Sequence, residues 1–144
     1  MRPAGQDQDG NPLSQILVDS TPFYGTSGGQ VGDGGTLEIG PDTLRVQACE
    51  KSSEGNVLVV AGAADQLCAD LRAHPVVRMR VDADARRETM RHHTATHLLH
   101  ATLREILGDH VEQAGSEVTP EHLRFDFLHD KAVTPEELAR IEAI

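Results

Sequence analysis

His93 and His97 stand four residues apart in the stretch His92-His93-Thr94-Ala95-Thr96-His97-Leu98-Leu99-His100. On a helix, side chains at that spacing share a face, one turn apart, and can converge on one point. Neutral imidazole is the commonest protein ligand for divalent transition metals, so the pair has the form of half a zinc site. The same spacing also suits a surface helix that is merely rich in histidine. The helix that must carry the pair is well marked: no Gly or Pro interrupts residues 82–107, and Gly108 follows as a stop. On its wheel Arg86, His93, His97, His100 and Arg104 fall on one side. Ala95, Leu99, Thr102 and Ile106 fall opposite, with Leu98 and Leu103 flanking them. The pattern predicts an amphipathic helix whose polar side is histidine and arginine.

A second stretch, Phe23-Tyr24-Gly25-Thr26-Ser27-Gly28-Gly29-Gln30-Val31-Gly32-Asp33-Gly34-Gly35, holds six glycines within residues 25–35. So many glycines exclude a regular helix or strand and let another backbone approach closely. Two readings stand side by side. One is a run of tight turns between short strands; the other is a loop whose bare N–H groups, with Ser27 and Gln30, face a ligand. No GK[ST] follows and GxGxxG is not matched, so it is not a phosphate-binding loop of either familiar kind.

The 144 residues suffice for one domain or two small ones with a buried core. Three Phe, one Tyr and no Trp leave the packing to aliphatic side chains. A net charge of −10 argues against general nucleic-acid affinity. Locally, Arg78, Arg80, Arg86, Arg87, Arg91 and Arg104 stand against only Asp82, Asp84 and Glu88 within residues 78–104. That strip suits a contact with phosphate, and equally a solvated helix face. Cys49 and Cys68 lack CxxC spacing and read as reduced thiols. No apolar run reaches a membrane span and no signal peptide opens the chain, so a cytoplasmic protein is expected.

The positioning elements follow from periodicity. Residues 1–14 are polar and rich in Gly, Pro, Gln and Asp, and are expected to be a flexible lead-in with no packed structure. Ile16–Val18, Thr36–Ile39, Leu44–Cys49, Val57–Val60 and Val76–Val81 read as strands separated by turns, with residues 61–74 ambiguous between loop and helix. After the long helix, a hairpin ends on the alternating run Leu123-Arg124-Phe125-Asp126-Phe127-Leu128. Thr134-Pro135-Glu136-Glu137 starts a last helix, with an N-cap Thr and Pro at the first position. That helix shows no stop before Ile144, so the chain reads as cut within it.

Thr21-Pro22-Phe23-Tyr24 followed by Ser27-Gly28-Gly29-Gln30-Val31-Gly32-Asp33 resembles the glycine-rich motif of alanyl-tRNA synthetases and their freestanding editing relatives. His93-Thr94-Ala95-Thr96-His97-Leu98-Leu99-His100 resembles the first zinc motif of the same editing domain. Gly108-Asp109-His110-Val111 and Leu123-Arg124-Phe125-Asp126-Phe127 continue the match in order, over residues 16–144. Threonyl-tRNA synthetase shares the His-x-x-x-His helix, but the Ser-Gly-Gly-Gln segment points to the alanyl family.

The resemblance implies hydrolytic editing: removal of serine or glycine wrongly esterified to alanine tRNA. A small pocket cannot strongly reject a near-isostere, which is why a second, hydrolytic sieve is useful. The resemblance further implies that zinc is held by His93 and His97 with a later Cys-x-x-x-His motif. Thr96 and Gln113 are then the catalytic-pocket candidates, and Ser27, Gly28, Gly29, Gln30 and Arg91 the candidates for substrate or tRNA contact. Zinc would polarise the ester, activate water or hold the terminal ribose. Misacylated alanine tRNA is the implied partner, with no membrane, and a homodimer by family analogy. ATP and magnesium belong to an aminoacylation domain that these residues do not include. No cysteine here is followed by a histidine four residues on, so the second zinc motif is expected downstream, and this chain alone is expected to bind zinc weakly.

The expected fold is α+β. Residues 15–82 form a small, glycine-rich antiparallel β-barrel. Residues 83–144 form the first helix, hairpin and second helix of an incomplete editing domain. The favoured reading is a fragment of an alanyl-tRNA synthetase. A truncated freestanding editing hydrolase and a non-catalytic tRNA-binding remnant are the alternatives.

Overall fold

Alternating apolar residues build the first layer of the molecule, a computed structural model describing residues 1–144. The strands β1 (Arg2–Gln6), β2 (Pro12–Val18), β3 (Gly35–Ile39), β4 (Asp42–Ser52) and β5 (Gly55–Ala61) precede a helix α1 (Ala64–Ala73) and strand β6 (Val77–Val81). All pair antiparallel in one six-stranded sheet ordered β1-β2-β5-β4-β3-β6. The edges β1 and β6 do not pair with each other, so the sheet is open. The closed barrel expected from the strand count does not form; the α+β class does.

The core of this unit, which comprises Met1–Ser27 and Val31–Arg86, is Ile16, Phe23, Leu37, Ile39, Val46, Cys49, Leu58, Val60 and Leu67. Leu37 and Ile39 keep a two-residue period, as a half-buried strand must. In β4 the period slips: a bulge between Val46 and Ala48 turns Cys49, not Ala48, into the core. Burial pushes the Cys49 thiol pKa up, with Asp33 and Glu50 adding to the shift. The first fourteen residues are not a loose lead-in. Strand β1 pairs with β2, and Ser14 is fully buried, donating to the Gly62 carbonyl at 2.7 Å. The ambiguous stretch is helical, anchored by the buried Leu67 of α1.

A buried carboxylate orders the glycine-rich turn. Asp33 accepts hydrogen bonds from the Tyr24 backbone N–H and from both Nε (2.8 Å) and Nη2 of Arg86. The guanidinium also donates to the Pro22 carbonyl at 3.2 Å. Hydrogen bonding to Asp33 holds the Arg86 pKa above its ordinary value.

The long helix α2 (Ala83–Leu107) opens where Asp82 Oδ1 accepts from the backbone N–H groups of Asp84 and Ala85, both at 3.1 Å. It closes at Gly108, whose φ of +120° and N–H bond to Arg104 O (3.0 Å) end the spiral. The second unit comprises Gly28–Gln30 and Arg87–Ile144. After α2 it contains the hairpin β7 (Glu112–Val118) and β8 (Leu123–Leu128), then α3 (Pro135–Glu142). Thr119 makes the hairpin turn by accepting from the N–H groups of Glu121 and His122. Helix α3 starts with the full capping box of Thr134 and Glu137 and covers Pro135–Glu142.

Within this unit the glycine segment lies along the hairpin. Val118 N–H donates to Gly29 O at 2.8 Å, and Gln30 bridges Val118 in parallel sense. The buried residues of α2 are Thr89, Thr96, Thr102 and Leu103, whereas Met90 and Leu98 are 57% and 65% exposed. The amphipathic reading holds in the main: Thr102 and Leu103 are buried and Ala95, Leu99 and Ile106 half-buried, while His93, His97 and Arg104 are exposed, and the flanking Leu98 departs from it. The hairpin meets this helix through His92 Nδ1 to Thr119 O (2.8 Å) and through the His100 ring against Phe125.

Candidate functional site

The His93–His97 spacing produces the convergence expected of it. Their Nε2 atoms lie 3.2 Å apart and their ring centroids 5.0 Å. Two nitrogens bound at about 2.0–2.1 Å on adjacent corners of a tetrahedron would stand roughly 3.3 Å apart, so the pair fits two corners of a zinc site. Gln30, 8% exposed, places Oε1 at 2.9 Å from His93 Nδ1. A carboxamide oxygen only accepts, so it holds the proton on Nδ1 and leaves the Nε2 lone pair for a ligand role.

Around this pair Gly28, Thr96, His100, Gln113, Ser116, Val118 and Phe125 complete a cavity of about 60 Å³. Thr96 is buried and donates its hydroxyl proton to the His92 carbonyl at 2.8 Å. What it offers the cavity is oxygen lone pairs, a group that accepts a hydrogen bond. Gln113 sits at the β7 bulge and donates Nε2–H to Ser116 Oγ at 2.9 Å, which leaves its carbonyl oxygen as the group to engage a ligand. His100 stands 5.1 Å, ring to ring, from Phe125, and its Nε2 lies 3.5 Å from Val111 O; it is a wall of the cavity.

Gly29 shows why the glycine segment is needed here. Its φ is +82°, and a Cβ would lie 2.5 Å from both the carbonyl oxygen and the hydroxyl of Ser116. Any other residue would push the segment off β7 and take Gln30 from His93.

The structure thus gathers Gly28, Gly29, Gln30, His93, Thr96, His97 and Gln113 in one place. Arg91 is not among them. It pairs with Glu88 on the face of α2 that also shows Met90, Thr94 and Leu98. Ser27 belongs to the first unit, where its carbonyl accepts from Tyr24 Oη at 3.3 Å. Four arginines of the expected basic strip have acidic partners: Arg78 with Glu38, Arg86 with Asp33, Arg91 with Glu88 and Arg104 with Asp109. Ser116 and Phe125 are lining residues that the sequence did not single out as such. A small hydroxyl two residues beyond a bulge carries no periodic signal.

No family model matches the chain. It is 51% identical over 135 residues to the alanine–tRNA ligase of Chlorobaculum tepidum, a match covering 88% of this chain and 15% of that protein. It is 46% identical over 147 residues to that of Bordetella pertussis, covering 98% and 15%. With that of Thermus thermophilus it shares 48% over 130 residues, covering 90% and 14%. The chain spans about 15% of the length of the curated relatives it matches, and it is homologous to a segment of alanine–tRNA ligases.

Proposed function

We propose that this chain, homologous to a segment of alanine–tRNA ligases, supplies the first half of a hydrolytic editing site that clears serine or glycine from alanine tRNA. The observation that carries the reading is the single cavity shared by His93, His97, Thr96 and Gln113, with the two Nε2 atoms 3.2 Å apart. In this reading the chain is a fragment of a larger synthetase, and the tRNA, ATP and magnesium of charging belong to that larger protein.

His93 and His97 are the residues that would hold zinc, and the donor set fits it. The pair leaves further coordination positions open, and the chain has no Cys-x-x-x-His to fill them. When bound, the metal supplies a Lewis acid beside the ester.

The chain's own groups account for the selection of serine over alanine. Thr96 Oγ1 donates its hydrogen bond to the His92 carbonyl, so towards a serine hydroxyl it acts as acceptor; alanine would leave its lone pairs unused. Gln113 presents a carbonyl oxygen able to accept from a water molecule and orient it. The net reaction adds water across the ester. The water oxygen bonds to the carbonyl carbon, the bond to the ribose oxygen breaks, and that oxygen takes the proton. The cavity is small enough to admit a hydroxymethyl group or hydrogen and to turn away bulky side chains.

The test is to place this chain in the Chlorobaculum ligase in exchange for the matching segment, and to compare deacylation of serine-charged and alanine-charged alanine tRNA. Faster cleavage of the serine ester supports the reading. Equal rates for the two esters, or none for either, overturn it.

A further inference from the structure

We infer that His110, His129 and Asp130 form a second divalent-metal site, separate from the His93–His97 pair and independent of the editing reading. The three residues flank the open end of the β7–β8 hairpin. His110 lies two residues before β7 and His129 directly follows β8, beyond the outermost register pair Glu112–Leu128.

The geometry brings the donors together. His110 Nε2 and His129 Nδ1 are 2.8 Å apart, the rings stack at 5.0 Å with a 19° tilt, and Asp130 Oδ1 lies 3.7 Å from His129 Nδ1. One donor atom from each residue falls within 4.8 Å of the other two. The His129 side chain is 5% exposed and therefore fixed, whereas Asp130 is free to swing inward. Gly108 makes room for the His110 ring, since a Cβ there would lie 2.9 Å from His110 Nδ1.

The burial of the His129 ring fixes the direction of its Nδ1. His129 Nε2 is buried and has no hydrogen-bond partner. That nitrogen stays without a partner in either tautomer, and the site rests on the convergence of the three donor atoms rather than on it. Coordination through Nδ1 gives the burial a role, as a rigid ligand. Two imidazoles and one carboxylate suit zinc, cobalt, nickel or copper rather than calcium or magnesium. Such an ion would close the hairpin end. This site offers three donors from within the chain, where the His93–His97 pair offers two, so the tighter site of the chain on its own is this one.

The experiment uses the 144-residue chain carrying His93→Ala and His97→Ala, titrated with Co(II) and followed by visible absorption, then by competition with Zn(II). We expect one equivalent to bind. Adding His110→Ala or, on an exposed side chain that leaves the rings untouched, Asp130→Asn should weaken that binding by about tenfold or more, with circular dichroism unchanged. No binding by the doubly substituted chain, or equal affinity with and without the His110→Ala and Asp130→Asn changes, overturns the proposal.

Discussion

The side-chain oxygen of Gln30 lies 2.9 Å from Nδ1 of His93. This contact gives the glycine-rich segment a chemical purpose, because it fixes which imidazole nitrogen keeps its proton. Gln30→Leu removes the acceptor and keeps the bulk. It should lower zinc affinity or ester hydrolysis about 10–100-fold, the usual effect of losing a partner behind a metal ligand. Gln30→Glu keeps an acceptor and should retain most of both. Zinc competition titrations on the chain set within a ligase would show it, and equal affinity for the Leu and Gln forms would break the link.

Thr96 is expected to discriminate by accepting, since its proton is committed to the His92 carbonyl. Thr96→Val keeps the shape and removes that oxygen. Hydrolysis of serine-charged tRNA should fall by about tenfold, the effect of roughly 1.4 kcal/mol from one hydrogen bond. Hydrolysis of glycine-charged tRNA, which has no hydroxyl to read, should change little. Parallel loss on both esters would assign Thr96 a packing role instead.

Asp33 joins the first turn of α2 to the backbone at Pro22 and Tyr24 through Arg86. Asp33→Asn leaves a guanidinium that is 31% exposed without its carboxylate. The expected loss is about 2–3 kcal/mol, less than for a fully buried pair because water reaches the arginine. Urea denaturation monitored in the first unit measures it; an unchanged midpoint would contradict the assignment.

The capping box of α3 should respond to acid. The Thr134 backbone N–H, with Lys131 adding to it, holds the Glu137 carboxyl below the ordinary carboxylate range. A folded pKa below the unfolded one means a contribution complete above the unfolded value and lost as pH falls through the folded value. Amide-exchange protection of Leu138, whose N–H bonds to Thr134 O, should therefore drop on acidification. In Glu137→Gln it should be lower at neutral pH and nearly flat.

Much of this was legible from residue types alone. The His-x-x-x-His pair, the Thr-Pro-Glu-Glu helix start and the alternating run Leu123–Leu128 each carry their own periodic or capping signal, and each formed as read. Strand β1, Arg-Pro-Ala-Gly-Gln, was not legible, because an exposed edge strand is held by backbone pairing and needs no apolar alternation. Cys49 was placed by a bulge, which breaks the two-residue period without marking the sequence. The open sheet differs from the expected barrel because strand spacing says nothing of whether the edges meet. The apolar side of α2 was legible apart from Leu98, which is exposed, and apart from Thr89 and Thr96, which are buried by tertiary packing without an apolar signal in the sequence.

The cavity at His93 and His97 is proposed to hydrolyse the ester. The most direct measurement of this is the single-turnover deacylation of serine-charged alanine tRNA by the ligase carrying this chain, beside its His97→Ala form. If His97 is a zinc ligand, the rate falls by about a hundredfold or more, with alanine charging unaffected. Deacylation at the same rate in both forms would contradict the proposal.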